Sequence, residues 1–242
     1  MGLARRHARF RLAAMNTLPP IRHRTRIKMC GFTREADVLA AAALGVDAIG
    51  LNLYPPSPRS VSIERAAELA RLLPAFVLPV LLFVNDTAER IDAACAAVPG
   101  AWLQFHGDES PEFCASMTQR TGRPHLKAAR IPLSEAPNFN LLEFATHHHA
   151  AQALLLDAHV DGYGGSGKTF NWSHLPPNVN AHLVLSGGLT PANVGDGMRA
   201  LRTHGLSLAV DVSSGIEAGK GLKDAAKMQQ FVAAVRAADN VS

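Results

Sequence analysis

The chain predicts an α/β fold, a single (βα)8 barrel of the TIM type, and its 242 residues suit one such domain. Three observations point there. Eight short apolar runs alternate with longer helix-patterned stretches from Arg26 to the C-terminus. The runs lack clean apolar–polar alternation, as strands covered on both faces of a parallel sheet should. The first run leads into Cys30-Gly31-Phe32-Thr33, not into the GxGxxG turn that opens an open-sheet dinucleotide-binding fold. Near-regular spacing through eight units then favours a closed barrel over an open sheet.

The strands are expected, in order, at Arg26–Cys30, Ala48–Leu53, Val77–Val84, Ala101–Phe105, His125–Ala129, Ala153–Asp157, His182–Ser186 and Leu208–Val212. Helix starts are marked between them. Thr33 precedes Glu35 and Asp37, and Ser62 precedes Glu64, which places acids where a helix N-terminus favours them. Thr87 is a further capping candidate, and Ser110 and Thr190 are each followed by proline, the order expected of an N-cap and a first helical residue.

Residues 1–25 are set apart as a basic, flexible extension, and 26–242 as the barrel. Residues 1–26 hold seven arginines and no acid, so the +4 net charge belongs to this arm; the rest has 17 basic against 20 acidic residues, a net of −3. The body therefore gives no electrostatic reason to expect a nucleic-acid partner. No apolar run is long enough to cross a bilayer, and no secretory pattern follows the arginines, so no membrane partner is expected. Cys30, Cys95 and Cys114 form no CxxC pair or disulfide framework, which suits a reduced, cytoplasmic setting. Cys95 and Cys114 sit in helix-patterned stretches and read as packing.

In a barrel, reactive groups gather at the C-terminal ends of the strands. Cys30 ends strand 1, Gln104 and His106 flank the end of strand 4, Asp157 ends strand 6, and Asp211 and Ser213 lie at the end of strand 8. A carboxylate or thiol inside an apolar strand is costly unless it has a partner or a task. Two glycine turns suit an anion: Ser186-Gly187-Gly188 after strand 7, and Ser213-Ser214-Gly215 after strand 8. Their backbone N–H groups can hold phosphate without basic side chains, at the loops where barrels place one. Arg59, in the proline-stiffened loop Tyr54–Val61, has a fork suited to a carboxylate. Gly162–Thr169 matches GxxxxGK[ST] in letters, but Asp157 to Asp161 separate it from its strand and no long helix follows. It reads as a mobile loop over the barrel mouth, with Lys168 near the ligand. His147-His148-His149 fan out around a helix and read as surface, so no metal is expected.

These residues resemble a known family. Lys28-Met29-Cys30-Gly31-Phe32-Thr33 is similar to the KICGIT opening of the phosphoribosylanthranilate isomerases. Phe83-Val84-Asn85, Gln104-Phe105-His106-Gly107, Leu155-Leu156-Asp157, Gly164–Phe170, Leu185–Leu189 and Asp211–Glu217 resemble further family blocks in the same order. Met29, Phe105 and Asn171 depart from the pattern, and Phe105 is expected to alter packing beneath Gln104 and His106.

The resemblance implies an Amadori rearrangement of a phosphoribosylated anthranilate, with no cofactor. Asp157 would be the general acid that opens the ribose ring, and Cys30 the general base that removes the C2′ proton. Arg59 would hold the anthranilate carboxylate, and Gly187, Gly188, Ser213, Ser214 and Gly215 the phosphate. Gln104, His106 and Asp211 complete the expected substrate contacts. Such roles require Cys30 to ionise near neutrality and Asp157 to keep a proton, whereas free groups titrate near ~8.5 and ~3.9. An enclosed site raises an aspartate's pKa but would raise the thiol's as well. Lys28, two residues before Cys30 and so on the same strand face, is expected to favour the thiolate against it. The expected partner is a phosphorylated small molecule, and the expected assembly a monomer or homodimer. A related phosphate-binding barrel isomerase, a phosphosugar sensor without turnover, and a P-loop nucleotide binder are the alternatives; the first typically has aspartate where Cys30 stands.

Overall fold

The computed structural model describes residues 24–132, 139–159, 171–172 and 175–240. Its eight principal strands form a closed barrel in chain order. They are β1 (Arg26–Cys30), β2 (Ala48–Asn52), β3 (Leu78–Phe83), β4 (Trp102–Phe105), β5 (His125–Pro132), β6 (Ala153–His159), β7 (His182–Leu185) and β8 (Ser207–Val212). Every neighbouring pair is parallel, and β1 meets β8 with Lys28 opposite Asp211, which closes the ring. The expected strands are all present, with ends that move by up to three residues.

Seven α-helices are seen among the described residues: α1 (Glu35–Ala43), α2 (Ile63–Ala70), α3 (Ala88–Ala97), α4 (Pro111–Thr121), α5 (Leu141–His147), α6 (Val194–Leu201) and α7 (Ala225–Asn240). Between β8 and α7 lie a 3-10 turn, Ser214–Ile216, and a hairpin of β9 (Glu217–Gly219) and β10 (Leu222–Lys223). Ser62, Thr87 and Ser110 accept from the backbone N–H three residues on, so each caps its helix as expected. Two starts differ. Thr33 gives its hydroxyl to the Gly221 carbonyl in the hairpin, and α1 begins after Arg34 without a side-chain cap. Thr190-Pro191 forms a turn fixed by Asn193, whose side chain accepts from Thr190 N, and α6 begins only at Val194.

Strand side chains alternate between the helix layer and the barrel interior. Ile27, Met29, Leu103, Phe105, Leu154, Leu156, Val210 and Val212 join the core beneath the helices. Ala48, Val80, Leu126, Ala128, Ala153, Leu155 and Val184 fill the barrel itself, and Cys30, Leu82 and Val84 form a smaller cluster beside them. Phe105 thus lies on the helix side, against Phe83, Phe113 and His125, and not beneath Gln104 and His106. One residue between two inward positions must face outward.

The arm up to residue 23 and the Gly162–Thr169 stretch with Lys168 lie outside the described residues. Thr25, by contrast, is tied to the body through both its N–H and its hydroxyl, bonded to Asp239. The triple histidine corrects an expectation. His148 is buried, with its ring 4.4 Å from that of Phe144, because three consecutive residues around a helix end cannot all face water. Among the described residues no cluster of metal-ligating side chains is found, and no helix is long and apolar enough to cross a membrane.

His125 on β5 is fully enclosed, and Thr118 Oγ1 lies 2.7 Å from its Nδ1. Burial, with a smaller push from Lys127, brings its pKa from 6.5 down to about 4; the same two causes act on His148. Above pH 6.5 such a ring is neutral in both folded and unfolded chains and contributes no pH dependence. As pH falls from 6.5 towards 4 the unfolded chain takes up a proton that the folded one refuses, so stability declines across that window. In His125→Gln, Tm should fall less between those pH values than in the unmodified protein; parallel Tm–pH curves would assign the acid sensitivity elsewhere.

Candidate active site

The alternation that sorts the core also builds the site. On β1, Lys28 and Cys30 face the barrel interior; on β4 and just past it, Gln104 and His106; on β6, Asp157; on β8 and just past it, Asp211 and Ser213. Cys30, Arg59, Gln104, His106, Asp157, Gly187, Gly188, Asp211, Ser213 and Ser214 all line one cavity at the C-terminal ends of the strands. Gly215 is the exception among the residues singled out from sequence. It lies where a Cβ would come within 1.9 Å of the Leu189 carbonyl oxygen, so it lets the loop after β8 rest on the loop after β7.

Cys30 is 5% exposed. Burial raises its thiol pKa; Lys28 and Lys223 pull the other way, while Asp211 adds to the rise. The net direction is upward, the effect that enclosure has on a thiol, while the role of base requires ionisation near neutrality. Lys28 acts as expected on the thiol, but its ammonium is shared with Asp211 at 2.8 Å, and both side chains are nearly enclosed. Burial works against the Lys28 charge, yet Asp211 and Cys30 outweigh it and raise its pKa. The sequence reading missed Gly50, which makes room for the sulfur: a Cβ there would stand 2.4 Å from Sγ. A glycine inside a strand is a recognised sign of close approach, so the signal was present.

Asp157 is held by a chain of side chains. Gln104 Nε2 donates to His106 Nδ1 at 3.0 Å, and His106 Nε2 donates to Asp157 Oδ2 at 2.9 Å. Ala158 N–H donates to Oδ1 of the same carboxylate. Gln104 Oε1 is buried without a partner. Turning the amide over would let Oε1 accept from Nδ1–H and leave His106 Nε2 free to accept a proton from Asp157. The chain can therefore meet either a carboxylate or a carboxylic acid at Asp157 by turning the Gln104 amide. Gly187, with φ 76°, packs so close that a Cβ would come within 2.8 Å of Asp157 Oδ1.

Arg59 already grips a carboxylate of the chain itself. Its Nε and Nη2 donate to the two carboxylate oxygens of Glu217, each at 2.7 Å. Glu217 also accepts from Lys223 Nζ at 2.8 Å. Neither Glu217 nor Lys223 was singled out from the sequence, because their meeting with Arg59 depends on the β9–β10 hairpin folding back towards the loop after β2. Gly187 and Gly188 both have positive φ, which shapes the turn after β7, and Ser213 and Ser214 enter the 3-10 turn after β8. The result is one cavity with a thiol, a carboxyl group on a histidine, a committed arginine and two glycine turns suited to an anion.

A family model described as N-(5′-phosphoribosyl)anthranilate (PRA) isomerase matches residues 27–234. The N-(5′-phosphoribosyl)anthranilate isomerase of Leptothrix cholodnii is 56% identical over 216 residues, which cover 89% of this chain and 93% of that one. The crystal structure of phosphoribosyl anthranilate isomerase from Thermotoga maritima is similar with a TM-score of 0.76 at 36% identity, covering 88% of this chain and 99% of the other. A phosphoribosyl anthranilate isomerase solved with reduced 1-(o-carboxyphenylamino)-1-deoxyribulose 5-phosphate has a TM-score of 0.71 at 32% identity, with coverage of 88% and 99%.

The Gly50–Cys30 contact makes a packing prediction independent of activity. Gly50→Ala should cost about 1–3 kcal/mol, the usual range for overpacking. Cys30→Ala in the same chain should return part of that, since it removes the 2.4 Å contact and leaves those at 3.0 Å to Cα and Cβ. Denaturant unfolding of the two single variants and the double variant measures the coupling, and strictly additive losses would contradict the contact.

Proposed function

Because the chain belongs to the N-(5′-phosphoribosyl)anthranilate isomerase family, we propose that Asp157 and Cys30 carry out its chemistry as general acid and general base. The chain is an isomerase of tryptophan biosynthesis. It converts N-(5′-phosphoribosyl)anthranilate to 1-(2-carboxyphenylamino)-1-deoxyribulose 5-phosphate, and its substrate is a phosphorylated small molecule. The observation that supports the residue roles is the shared cavity: Cys30 and Asp157 line it together with the two glycine turns and Arg59.

The reaction needs a proton placed on the furanose oxygen and another taken from C2′. Asp157 in its protonated form donates its proton to the ring oxygen, and the carboxylate left behind accepts from His106 Nε2–H as it does in the structure. The C1′–O bond breaks, and the anthranilate nitrogen takes up the positive charge as an iminium. That charge acidifies the C2′ proton and, standing close to Cys30, favours the thiolate over the buried thiol, whose proton passes to solvent before the C2′ proton is taken. Cys30 removes the C2′ proton, and the electron pair moves to nitrogen to give the enolamine, which tautomerises to the ketone. Since the substrate nitrogen is the electron sink, one acid and one base suffice and no cofactor enters the proposal. Ring opening comes first in this scheme because burial keeps the resting thiol protonated.

Substrate placement follows the same cavity. The Gly187–Gly188 and Ser213–Ser214 turns take the phosphate, with Gly215 shaping the second turn from behind. Arg59 takes the anthranilate carboxylate. Gln104 and His106 act on substrate through Asp157, while Asp211 faces the reacting carbons beside Lys28. A cytoplasmic location and a monomeric or homodimeric state complete the proposal, and neither nucleic acid nor membrane is part of it.

Steady-state turnover, followed by the loss of substrate fluorescence, tests the pair. Cys30→Ser and Asp157→Asn should each lower kcat by about 10²–10⁴-fold, the range of general acid–base catalysis, with KM little changed. A protein that binds the substrate and does not turn it over would be a phosphosugar binder, and the scheme would fall. Lys28→Gln removes the charge that offsets burial at the thiol. The acid limb of its kcat–pH profile should move to higher pH, Lys28→Arg should largely restore it, and an unchanged profile in Lys28→Gln would separate Lys28 from the base.

A further inference from the structure

We propose that Glu217, itself held by Lys223, is a positioning residue that fixes the Arg59 guanidinium and thereby sets the preference for a substrate bearing a carboxylate. The inference rests on the assignment of Arg59 to that carboxylate and deepens it. A guanidinium presents five N–H donors in a rigid plane. Glu217 takes Nε and Nη2, so one whole edge is committed, and Nη1 has no acceptor among the described residues. The edge carrying Nη1 is the one left to meet a ligand, and its direction is dictated by where Glu217 stands.

Glu217 stands on a braced support. The hairpin that carries it is bound to the start of the barrel by Thr33 Oγ1 on the Gly221 carbonyl and by Lys223 N–H on Asp37 Oδ2. Lys227 Nζ holds the Glu217 carbonyl at 2.7 Å from α7. Lys223 Nζ, fully enclosed, bonds both to a Glu217 oxygen and to the Ser213 carbonyl, which links the brace to the turn assigned to phosphate. On the opposite side Gly31 leaves space for the arginine stem, where a Cβ would lie 2.6 Å from Cδ. Arg59 is thus confined by contacts at its head and its stem, although it sits in a loop.

The charges agree with this role. Two cations share one carboxylate in a nearly sealed corner, and the surplus positive charge is directed at the cavity through Arg59. Burial would raise the Glu217 carboxyl, but its pairs with Arg59 and Lys223 outweigh that and lower it, so Glu217 stays ionised as a brace. An arginine held by a neutral or absent partner could swing, and a carboxylate would then gain less from meeting it because the ordering would have to occur on binding.

Two probes separate positioning from general support: reduced 1-(o-carboxyphenylamino)-1-deoxyribulose 5-phosphate and the same compound without its carboxylate. Their Kd ratio is the carboxylate preference. In Glu217→Gln that preference should fall about tenfold, a loss confined to one charge-assisted contact, while affinity for the probe lacking the carboxylate stays within about twofold. Arg59→Gln should also lose the preference, and Glu217→Gln should take nothing further from it in the double variant. Glu217→Asp, which keeps the charge and withdraws it by one methylene, gives the same readout should the amide variant not fold. Equal weakening of both probes, or an unchanged preference, in the Glu217 variants overturns the positioning role. An unchanged preference in Arg59→Gln instead overturns the assignment of Arg59, and the proposal with it.

Discussion

The ion pair between Lys28 and Asp211 is the interaction on which the site most depends. The two residues face each other across the β1–β8 seam, the only place where the first and last strands of the ring meet, at 2.8 Å and almost out of water. Removing one partner from such a pair leaves an uncompensated buried charge, which commonly costs about 3–5 kcal/mol. The pair therefore stitches the barrel shut, and it does so one inward position below Cys30. The same ammonium that closes the seam lies against the thiol, and the same carboxylate opposes its ionisation. Closure of the fold and tuning of the base share one pair of side chains.

From that seam the cavity extends by strand geometry. A period of two puts every second residue into the barrel, so a reactive side chain at the end of a strand must share parity with the interior residues below it. Cys30 follows Lys28, His106 follows Gln104, and Asp157 follows Leu155 in this way. Each reactive group is then steadied from the side: the thiol has room because position 50 is glycine, the carboxyl group rests on His106 and near Gly187, and the guanidinium is clamped by Glu217. Most of these supports come from strands or from the hairpin bound to them, which suits a site whose groups must hold their places through two proton transfers.

Much of this was legible in the sequence. The eight strands, their order and the inward parity of Cys30 and Asp157 could be read because a parallel barrel leaves little freedom once the runs are counted. What escaped reading depended on contacts made far along the chain. Glu217 lies 158 positions from Arg59, and nothing local marks it as that residue's partner. The Thr190-Pro191 pair carries a helix-start signature, but Asn193 diverts it into a turn. Burial of His148 depended on what packs against the end of α5. At Cys30 the two opposing influences, burial and the Lys28 cation, were both legible, but which of them prevails depends on how completely the closed barrel encloses the sulfur.

The central claim is that the resting thiol is neutral and becomes a base only when positive charge develops on the substrate. It is tested most directly by titrating Cys30 itself. In a chain with Cys95 and Cys114 replaced by alanine, the ultraviolet absorbance of the thiolate reports that residue alone. The expected result is a midpoint above the ~8.5 of a free thiol when no substrate is bound, since burial raises it. A midpoint at or below neutrality would mean that Lys28 and Lys223 overcome burial before substrate arrives, and it would contradict a sequence of steps in which ring opening precedes ionisation of the thiol.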